Sequence, residues 1–162
     1  MYEVCIVGLG YVGLPTACAF ARAGADTVGV DVRPKVVEQV KLGRSHLTEF
    51  GLGDAVKAAV GSGKLHATGS IGDAVSNSAA VVIAVQTPYQ DGRVVLDFLE
   101  KACREVSASI RPGAVVVLES TVPVGTCAGV VLPMLEAGGR RDGKDFYFAY
   151  CPERIAPGNS LK

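Results

Sequence analysis

The sequence predicts a doubly wound α/β domain, with a parallel sheet of about six strands and helices on both faces. Short apolar, β-branched runs alternate with segments of helical periodicity along the chain. Strands that are apolar throughout indicate a buried parallel sheet, because helices cover such a sheet on both sides. The length of 162 residues, without an internal repeat or a Ser/Pro-rich linker, predicts one domain.

The apolar runs are the predicted strands. In chain order they are Tyr2–Val7, Thr27–Val30, Lys64–Thr68, Ala80–Val85, Ala114–Leu118 and Phe146–Tyr150. The run at 64–68 is the weaker candidate, and the others are rich in β-branched residues.

Helices are expected between the strands, from apolar spacing and from start residues. The clearest helix has apolar residues at spacings of three and four, namely Leu96, Leu99, Cys103, Val106 and Ile110. Asp97, followed by Glu100, predicts a capping-box start for this helix, and Ser70 with Asp73 predicts a weaker one. Pro34 suits the first turn of another helix.

The last predicted helix begins near Thr126 and is stopped by Gly138 and Gly139. Pro133 inside it should kink or shorten it, because proline lacks the N–H that a helix interior requires. The segment 152–162 contains further proline and glycine and is predicted to be irregular.

A glycine-rich turn follows the first strand, where residues 8–13 read Gly-Leu-Gly-Tyr-Val-Gly. Gly8 permits the tight turn, Gly10 lets a pyrophosphate approach the backbone, and Gly13 lets the next helix pack on the strand. The free N–H groups of that helix would then face the phosphates. The predicted cofactor-binding residues of this Rossmann-type turn are Gly8, Gly10, Tyr11, Val12 and Gly13.

Asp31 ends the second strand, 21 residues after Gly10, where a carboxylate binds ribose hydroxyls in such folds. Its charge would repel a 2′-phosphate, so NAD is predicted as the cofactor rather than NADP. Arg33 and Lys35 leave the alternative open, because they could attract that phosphate instead. Otherwise both side chains are expected to be solvated or to lie along the adenine.

Polar residues also follow the later strands, and parallel strands all end at the same edge. We therefore expect four of the residues after these strands to converge near the nicotinamide, namely Thr87, Pro88, Thr121 and Glu153. Thr121 could orient a water, and Glu153 could polarise it or accept its proton. The alternative is that each residue only caps a loop.

Composition excludes several classes of function. Lys+Arg and Asp+Glu are 16 each, so neither a nucleic-acid backbone nor an anionic membrane surface would be attracted. Three apolar stretches lack membrane character because glycine and proline interrupt them. The two histidines, His46 and His66, have no partner at ligand spacing, so no metal site is predicted.

The five cysteines are scattered and odd in number, which suits a reducing compartment and predicts a cytoplasmic protein. Cys151 could act as a nucleophile. However, a cysteine that ends a buried strand is more often a small hydrophobic residue.

Taken together, these residues resemble the N-terminal domain of the UDP-glucose/GDP-mannose dehydrogenase family, the nucleotide-sugar 6-dehydrogenases. The resemblance covers essentially the whole chain. Its most specific parts are Ser-Thr-Val-Pro-Val-Gly-Thr at 120–126 and Pro-Glu-Arg-Ile-Ala-Pro-Gly at 152–158. Glu119 and the Arg-Ile pair at 154–155 resemble the branch that acts on UDP-N-acetylhexosamines, especially UDP-N-acetylmannosamine. Phe50, where many members carry proline, is a mild departure.

The resemblance implies oxidation of a sugar C6 alcohol to a carboxylate with two NAD, in polysaccharide biosynthesis. By carry-over, Thr121 and Glu153 would place and activate the water that hydrolyses a thioester intermediate. The family's catalytic cysteine and lysine lie in later segments, so the chain alone should bind NAD without completing the reaction. The alternative is a stand-alone NAD-binding or sensing module.

The resemblance also implies a division of the chain. Residues 1–151 would form the NAD-binding domain, and 152–162 would begin the connection to a further part. A UDP-sugar substrate and a homodimer or larger oligomer are expected for the longer protein. Hydrophobic residues make up 49% of the chain, which predicts an exposed apolar patch near the C-terminal segment where a further part would pack.

Overall fold

In the computed structural model, which describes residues 1–152 and 154, a six-stranded sheet forms the middle layer. The strands, including a short hairpin, are β1 (Tyr2–Val7), β2 (Thr27–Val30), β3 (Leu65–Thr68), β4 (Ser78–Ile83), β5 (Tyr89–Gln90), β6 (Arg93–Val94), β7 (Val115–Leu118) and β8 (Tyr147–Tyr150). The α-helices are α1 (Gly13–Arg22), α2 (Pro34–Lys41), α3 (Leu52–Gly61), α4 (Ile71–Ser76), α5 (Asp97–Ser109) and α6 (Leu132–Glu136). In the described part of the chain, none of these helices is long and apolar enough to cross a membrane.

The strand order is β3-β2-β1-β4-β7-β8, and all neighbouring pairs are parallel. The chain winds outward from β1 in one direction and returns at β4 to wind in the other. This arrangement confirms the predicted doubly wound fold. It also places a crevice between β1 and β4, where ligands bind in open parallel sheets.

Two cores cover the two faces of the sheet. Adjacent residues of β1 separate into them, with Cys5 in one core and Ile6 in the other. The first core packs α4, α5 and α6 on the sheet around Phe146, and the second packs α1, α2 and α3 around Leu14. Each fully buried large side chain contributes roughly 1.5–3 kcal/mol. Burial on both faces explains why the strands are apolar throughout.

The predicted strands agree with the observed ones, with small shifts at their ends. β1 and β2 have the predicted bounds, and the weaker candidate at 64–68 is confirmed as β3. β4 begins and ends two residues earlier than predicted, at Ser78 and Ile83. Ser78 is polar, but its hydroxyl is buried and donates to the carbonyl of Ala74 at 2.7 Å, so it is accommodated inside the sheet.

The sequence pattern predicts neither α3 nor the β5–β6 hairpin. Two glycines within α3, Gly53 and Gly61, weaken its helical signal, since glycine in a helix costs about 1 kcal/mol relative to alanine. Packing of Leu52 and Val56 in the core stabilises the helix nevertheless. The hairpin turns at Asp91 and Gly92, which both have positive φ, and Asp-Gly is the turn signal that was available.

The two predicted capping boxes have different outcomes. The Ser70 hydroxyl accepts from the Asp73 N–H at 3.4 Å and donates to the Asp73 carboxylate at 2.7 Å, so this cap of α4 is confirmed. The box at Asp97 is wrong, because Leu96 occupies the N-cap and Asp97 is the first helical residue. The Asp97 carboxylate can then act only through its charge near the positive end of the helix dipole.

The helix predicted from Thr126 onward is interrupted. A π-helical turn at Cys127–Val131 leads directly into the short helix α6, which has Pro133 in its first turn. Pro133 has no N–H to continue an α-helical ladder from the preceding turn, and the wider turn accommodates it. Gly139, with φ of +82°, lies beyond the end of α6.

Exposed aromatic and aliphatic side chains lie where β7 and β8 pair. Tyr147 is 52% exposed, Tyr150 41% and Val115 39%. Val115 and Tyr147 are direct neighbours in the ladder and so point to the same face. The structure therefore places exposed apolar surface near residue 150, as expected from the composition.

Candidate functional site

The carboxyl ends of the parallel strands bring four loops to one edge of the sheet. These are 8–12 after β1, 31–33 after β2, 84–88 after β4 and 119–126 after β7. All but one of the predicted site residues lie in these loops or at the start of α1. Glu153 lies outside the described residues.

Gly8 and Gly13 are required by the protein's own packing. Gly8 has φ of +99°, and a Cβ there would lie 2.6 Å from the carbonyl oxygen of Ala84. A Cβ on Gly13 would overlap the carbonyl oxygen of Gly8. The N–H of Gly8 donates to the carbonyl of Val30 at 2.8 Å, which ties the turn to β2. These contacts agree with the predicted roles of the first and third glycines.

Gly10 has a different environment. A Cβ on Gly10 would have no protein atom within 4 Å, so packing does not explain a glycine at this position. The open space lies at the beginning of α1. The N–H of Leu14 there donates to the carbonyl of Gly10 at 3.1 Å, and the N–H groups of Tyr11, Val12 and Gly13 come before any carbonyl of the helix that could accept from them. Tyr11 is exposed and Val12 is the N-cap residue of α1. This cradle fits a pyrophosphate, because unpaired N–H groups at a helix N-terminus bind phosphate oxygens.

Leu9 points the other way, into the core, and is fully buried. It lies against Gly29 in β2, where a Cβ would come within 2.5 Å of the Leu9 Cδ2. This contact was not predicted, although a glycine inside an apolar strand is a signal for close approach by another group.

Asp31 is buried at the end of β2 and lies against the glycine-rich turn. Its Oδ2 accepts from the backbone N–H of Leu9 at 3.2 Å. Its Oδ1 accepts from the backbone N–H of Arg33 at 2.9 Å, and the Arg33 side chain donates to both oxygens. Burial alone would raise the pKa of the Asp31 carboxyl, but the hydrogen bonds from Arg33 and Leu9 outweigh it and lower the pKa. The carboxylate is therefore charged and adjacent to the phosphate cradle, as ribose binding requires.

His46, in the loop between α2 and α3, was not predicted as a site residue. Both of its ring nitrogens are buried without a hydrogen-bond partner among the described residues. Burial lowers the pKa of His46, the positive charge of Arg33 lowers it further, and the negative charge of Asp31 opposes the shift. The pKa of His46 therefore responds to both charges of the Asp31–Arg33 pair. A single loop histidine with no other histidine or cysteine at ligand spacing gives no sequence signal for such a position.

The loops after β4 and β7 are joined by hydrogen bonds. The Thr87 hydroxyl donates to the carbonyl of Thr121 at 2.7 Å, and the Ser120 hydroxyl donates to the carbonyl of Val85 at 2.7 Å. The carbonyl of Pro88 accepts from Val95 at 2.8 Å, at the base of the hairpin. The structure thus brings Thr87, Pro88 and Thr121 together, as expected.

A polar contact links the first turn of α1 to the end of β7. The Thr16 hydroxyl lies 3.2 and 3.3 Å from the two carboxylate oxygens of Glu119 and donates to them. Thr16 and Glu119 are 103 residues apart in the chain. Only the parallel order of β1, β4 and β7 brings them together, so no local pattern predicts the pair.

The cysteines differ in burial and ionisation. Burial raises the pKa of Cys5 and of Cys103 to about 12, and that of Cys18 to about 11. Cys127 is half-buried, with its pKa also raised by burial, and Cys151 is exposed. Within the residues that the structure describes, no three His, Cys, Asp or Glu side chains come close enough to hold a metal ion.

Comparison with known proteins extends these observations. Residues 2–162 match the UDP-glucose/GDP-mannose dehydrogenase family, NAD binding domain. The chain is 38% identical over 160 residues to UDP-N-acetyl-D-mannosamine dehydrogenase of Pyrococcus horikoshii, covering 99% of this chain and 38% of that protein.

Solved structures give the same result. The chain superposes on a ternary complex of GDP-mannose dehydrogenase from Pseudomonas aeruginosa with a TM-score of 0.95 and 32% identity, over 98% of this chain and 38% of the other. It superposes on UDP-D-ManNAc dehydrogenase from Pyrococcus horikoshii with a TM-score of 0.91 and 39% identity, over 96% and 37%. This chain therefore spans less than two fifths of the length of these relatives.

These matches test the predicted fold, family and cofactor. The Rossmann-type fold is confirmed by the strand order and by the superpositions. The family resemblance and the choice of NAD as the cofactor are confirmed by the family match. The chain belongs to the UDP-glucose/GDP-mannose dehydrogenase family and corresponds to its NAD binding domain.

Proposed function

We propose that this chain is the cofactor domain of an enzyme that oxidises the C6 alcohol of a UDP-sugar to a carboxylate with two NAD. The domain comprises residues 1–151, and 152–162 begin the connection to the part that binds the sugar. The observation that carries the proposal is the contact between Asp31 and the glycine-rich turn, at 3.2 Å from the Leu9 N–H. This contact supports a ribose acceptor at Asp31 beside a phosphate cradle in the turn.

The cofactor-binding residues divide between two subsites. Gly10, Tyr11 and Val12 would present backbone N–H groups to the pyrophosphate, while Gly8 and Gly13 keep the turn in shape. Asp31 would accept from the ribose hydroxyls, and its charge favours NAD over NADP. Arg33 would lie along the adenine. Exposed Tyr11 and Val32 offer apolar surface beside this subsite.

The reacting end would lie over the loops after β4 and β7. NAD, when bound, accepts a hydride from the carbon that is oxidised. Thr87, Pro88 and Thr121 would flank the nicotinamide. The Thr87 hydroxyl donates to the carbonyl of Thr121, and the exposed Thr121 side chain would orient a water. Glu153 would polarise that water or accept its proton.

We propose further that the catalytic cysteine and lysine are not among these residues. Cys5, Cys18 and Cys103 are buried thiols with raised pKa, so they are poor nucleophiles. The chain alone would bind NAD and produce no uronic acid. The exposed apolar face at Tyr147 and Val115 supports contact with a further part of the protein, which would also mediate its oligomerisation.

A UDP-N-acetyl-D-mannosamine type of substrate is favoured. The relative from Pyrococcus horikoshii that is 38% identical carries that name, and Glu119 fits the same branch. GDP-mannose is the second candidate, because the structure with a TM-score of 0.95 is a GDP-mannose dehydrogenase. Both belong to the same reaction class and differ in the base and the sugar of the substrate.

Calorimetric titration of the chain with NAD and with NADP tests cofactor binding. NAD should bind more tightly, and tighter NADP binding would contradict the role of Asp31. A second assay follows NADH at 340 nm with NAD and each of UDP-N-acetylmannosamine, UDP-glucose and GDP-mannose. We expect no turnover by the chain alone, and robust NADH production would overturn that part of the proposal.

A gene-level observation separates the proposal from the alternative of a stand-alone NAD-binding or sensing module. A reading frame that continues past the codon of Lys162 into a Gly-x-Cys segment would support the enzyme. A stop codon at that point would support the module.

A further inference from the structure

The ribose acceptor is already occupied by the chain itself. The Nε of Arg33 donates to Oδ1 of Asp31 at 2.9 Å, and its Nη2 donates to Oδ2 at 2.9 Å. The Asp31 side chain is 6% exposed, whereas that of Arg33 is 58% exposed. The guanidinium therefore lies on the solvent side of the carboxylate, which is the side from which a ligand approaches.

The carboxylate of Asp31 is saturated in this arrangement. The backbone N–H groups of Leu9 and Arg33 donate to it as well, at 3.2 and 2.9 Å. A carboxylate offers about four acceptor positions, and the four donors fill them. The two backbone donors are fixed by the turn and by the start of α2. Two ribose hydroxyls can therefore bind only if the guanidinium leaves.

The Arg33 side chain is free to leave. Arg33 is the N-cap residue of α2, but its side chain makes no capping hydrogen bond, so its movement leaves the helix intact. Most of the side chain is in solvent. Ion pairs with one exposed partner are weak enough for a ligand to displace, because water solvates the released cation.

We propose that Arg33 is an internal competitor for the ribose subsite, which lowers the affinity for NAD and also the preference for NAD over NADP. This inference rests on the proposed function. NAD must displace the guanidinium before its ribose reaches Asp31, and part of the binding free energy is lost in that displacement. A 2′-phosphate is not penalised in the same way, because the ion pair neutralises Asp31 and presents a cation in its place.

Arg33 would then determine cofactor specificity, and its removal should change the NAD affinity in the direction opposite to that expected for loss of a cation. Removal of a cation beside an anionic dinucleotide should ordinarily weaken binding, since long-range attraction is lost. Removal of Arg33 should strengthen binding of NAD, because the buried carboxylate is freed for the ribose. The contact of a displaced, solvent-exposed guanidinium with the adenine is screened by water and is the smaller effect.

The test compares Arg33→Met with Lys41→Met in the intact chain. Each variant loses one positive charge, from the N-cap of α2 at Arg33 or from its last turn at Lys41, where the side chain is exposed. Calorimetry would measure the Kd for NAD, for NADP and for NAD with a 2′-deoxyadenosine. Far-ultraviolet circular dichroism and thermal unfolding would verify that both variants fold.

Arg33→Met should bind NAD about two- to five-fold more tightly than the wild type, which is the range for release of one exposed ion pair. NADP should gain less, so the ratio of the two affinities shifts toward NAD. The 2′-deoxy analogue should gain less than NAD, because it offers one hydroxyl fewer to the freed carboxylate. Lys41→Met should leave all three affinities unchanged or slightly weaker.

Three results would overturn the inference. One is weaker or unchanged NAD binding by Arg33→Met, another is an equal gain for the deoxy analogue, and the third is an equal gain in Lys41→Met. Failure of the proposed function is a separate result, because then the wild-type chain itself would not bind NAD.

Discussion

The two ends of the candidate cofactor site are built on different principles. The phosphate end is made of backbone, and the open space above Gly10 is ready for a ligand. The ribose end is made of side chains, and Arg33 occupies the carboxylate that a ligand would need. One end is therefore preorganised, and the other must exchange an internal contact for an external one.

The difference shows that a backbone subsite and a side-chain subsite affect ligand binding in different ways. A cradle of N–H groups has one conformation and binds any phosphate that fits it. An ion pair with one partner in water has two states, closed and open, and it can select between ligands that displace it and ligands that do not. Affinity would then come mainly from the turn, and selectivity from Asp31 and Arg33.

The largest expected effect is on stability, and it distinguishes Gly13, at the start of α1, from Gly10 in the turn before it. Gly13→Ala places a methyl group against the carbonyl of Gly8 and should lower the free energy of unfolding by about 3 kcal/mol, as overpacking does. Urea denaturation followed by circular dichroism measures it. A variant as stable as the wild type would show that the turn can widen and that the phosphate end is not rigid.

The second prediction concerns the negative charge at the ribose end, which the substitution Asp31→Asn removes. Asp31→Asn should weaken NAD binding by about tenfold or more, because hydrogen bonds to a charged group contribute about 1.5–3 kcal/mol. NADP should be affected less, since the asparagine no longer repels its phosphate. Calorimetry gives both values. An equal loss for the two cofactors would remove Asp31 from the ribose subsite.

The third prediction uses Gly10→Ala as the counterpart of Gly13→Ala. The methyl group meets no protein atom within 4 Å, so the free energy of unfolding should stay within about 0.5 kcal/mol of the wild type. Binding of NAD should weaken by about tenfold, since the methyl group occupies the phosphate cradle. Unchanged affinity would mean that the pyrophosphate lies elsewhere.

The smallest expected effect is a pH dependence of stability. The folded state lowers the pKa of Asp31, so its contribution is present above the unfolded value of about 4 and is lost as the pH falls through the folded value. The wild type should exceed Arg33→Met in stability by about 0.5 kcal/mol at neutral pH and by less in acid. Urea unfolding across this range measures the difference.

A second ion pair, between Asp26 and Lys64, also lowers the pKa of its carboxyl group and serves as an internal control. The hydrogen bond from Lys64, at 2.8 Å, lowers the pKa of Asp26 as well. Because this pair is present in both proteins, its contribution cancels in the comparison. A difference that persisted unchanged in acid would show that Arg33 stabilises the fold through packing and not through Asp31.

Local patterns predicted the parts of the molecule that local physics determines. The bounds of β1 and β2 and the roles of Gly8 and Gly13 follow from apolar runs and from the sterics of one turn. The choice of NAD followed from the glycine-rich turn and Asp31, and the family followed mainly from the segments 120–126 and 152–158. Parallel pairing then fixes which loops share an edge, which is why Thr87 and Thr121 were expected together.

Tertiary contacts account for what was missed. The helix α3 has a weak intrinsic signal and is stabilised by packing in the second core. Asp97 could have capped α5, but Leu96 takes the cap position and Asp97 is displaced into the helix. The Arg33–Asp31 contact was not predicted because a long side chain two residues away has many rotamers, and only the structure selects one. Thr16 and Glu119 are too distant in the chain for any spacing rule.

The contact between Leu9 and Gly29 has an evolutionary consequence. A side chain at position 29 would collide with the Leu9 side chain, so the two positions should covary: a larger residue in the second strand requires a smaller one inside the turn. The dinucleotide-binding sequence pattern thus includes Gly29, which lies outside the glycine-rich turn and two residues before Asp31. Leu9→Ala combined with Gly29→Ala should be more stable than the sum of the single changes predicts, as a double-mutant cycle would measure.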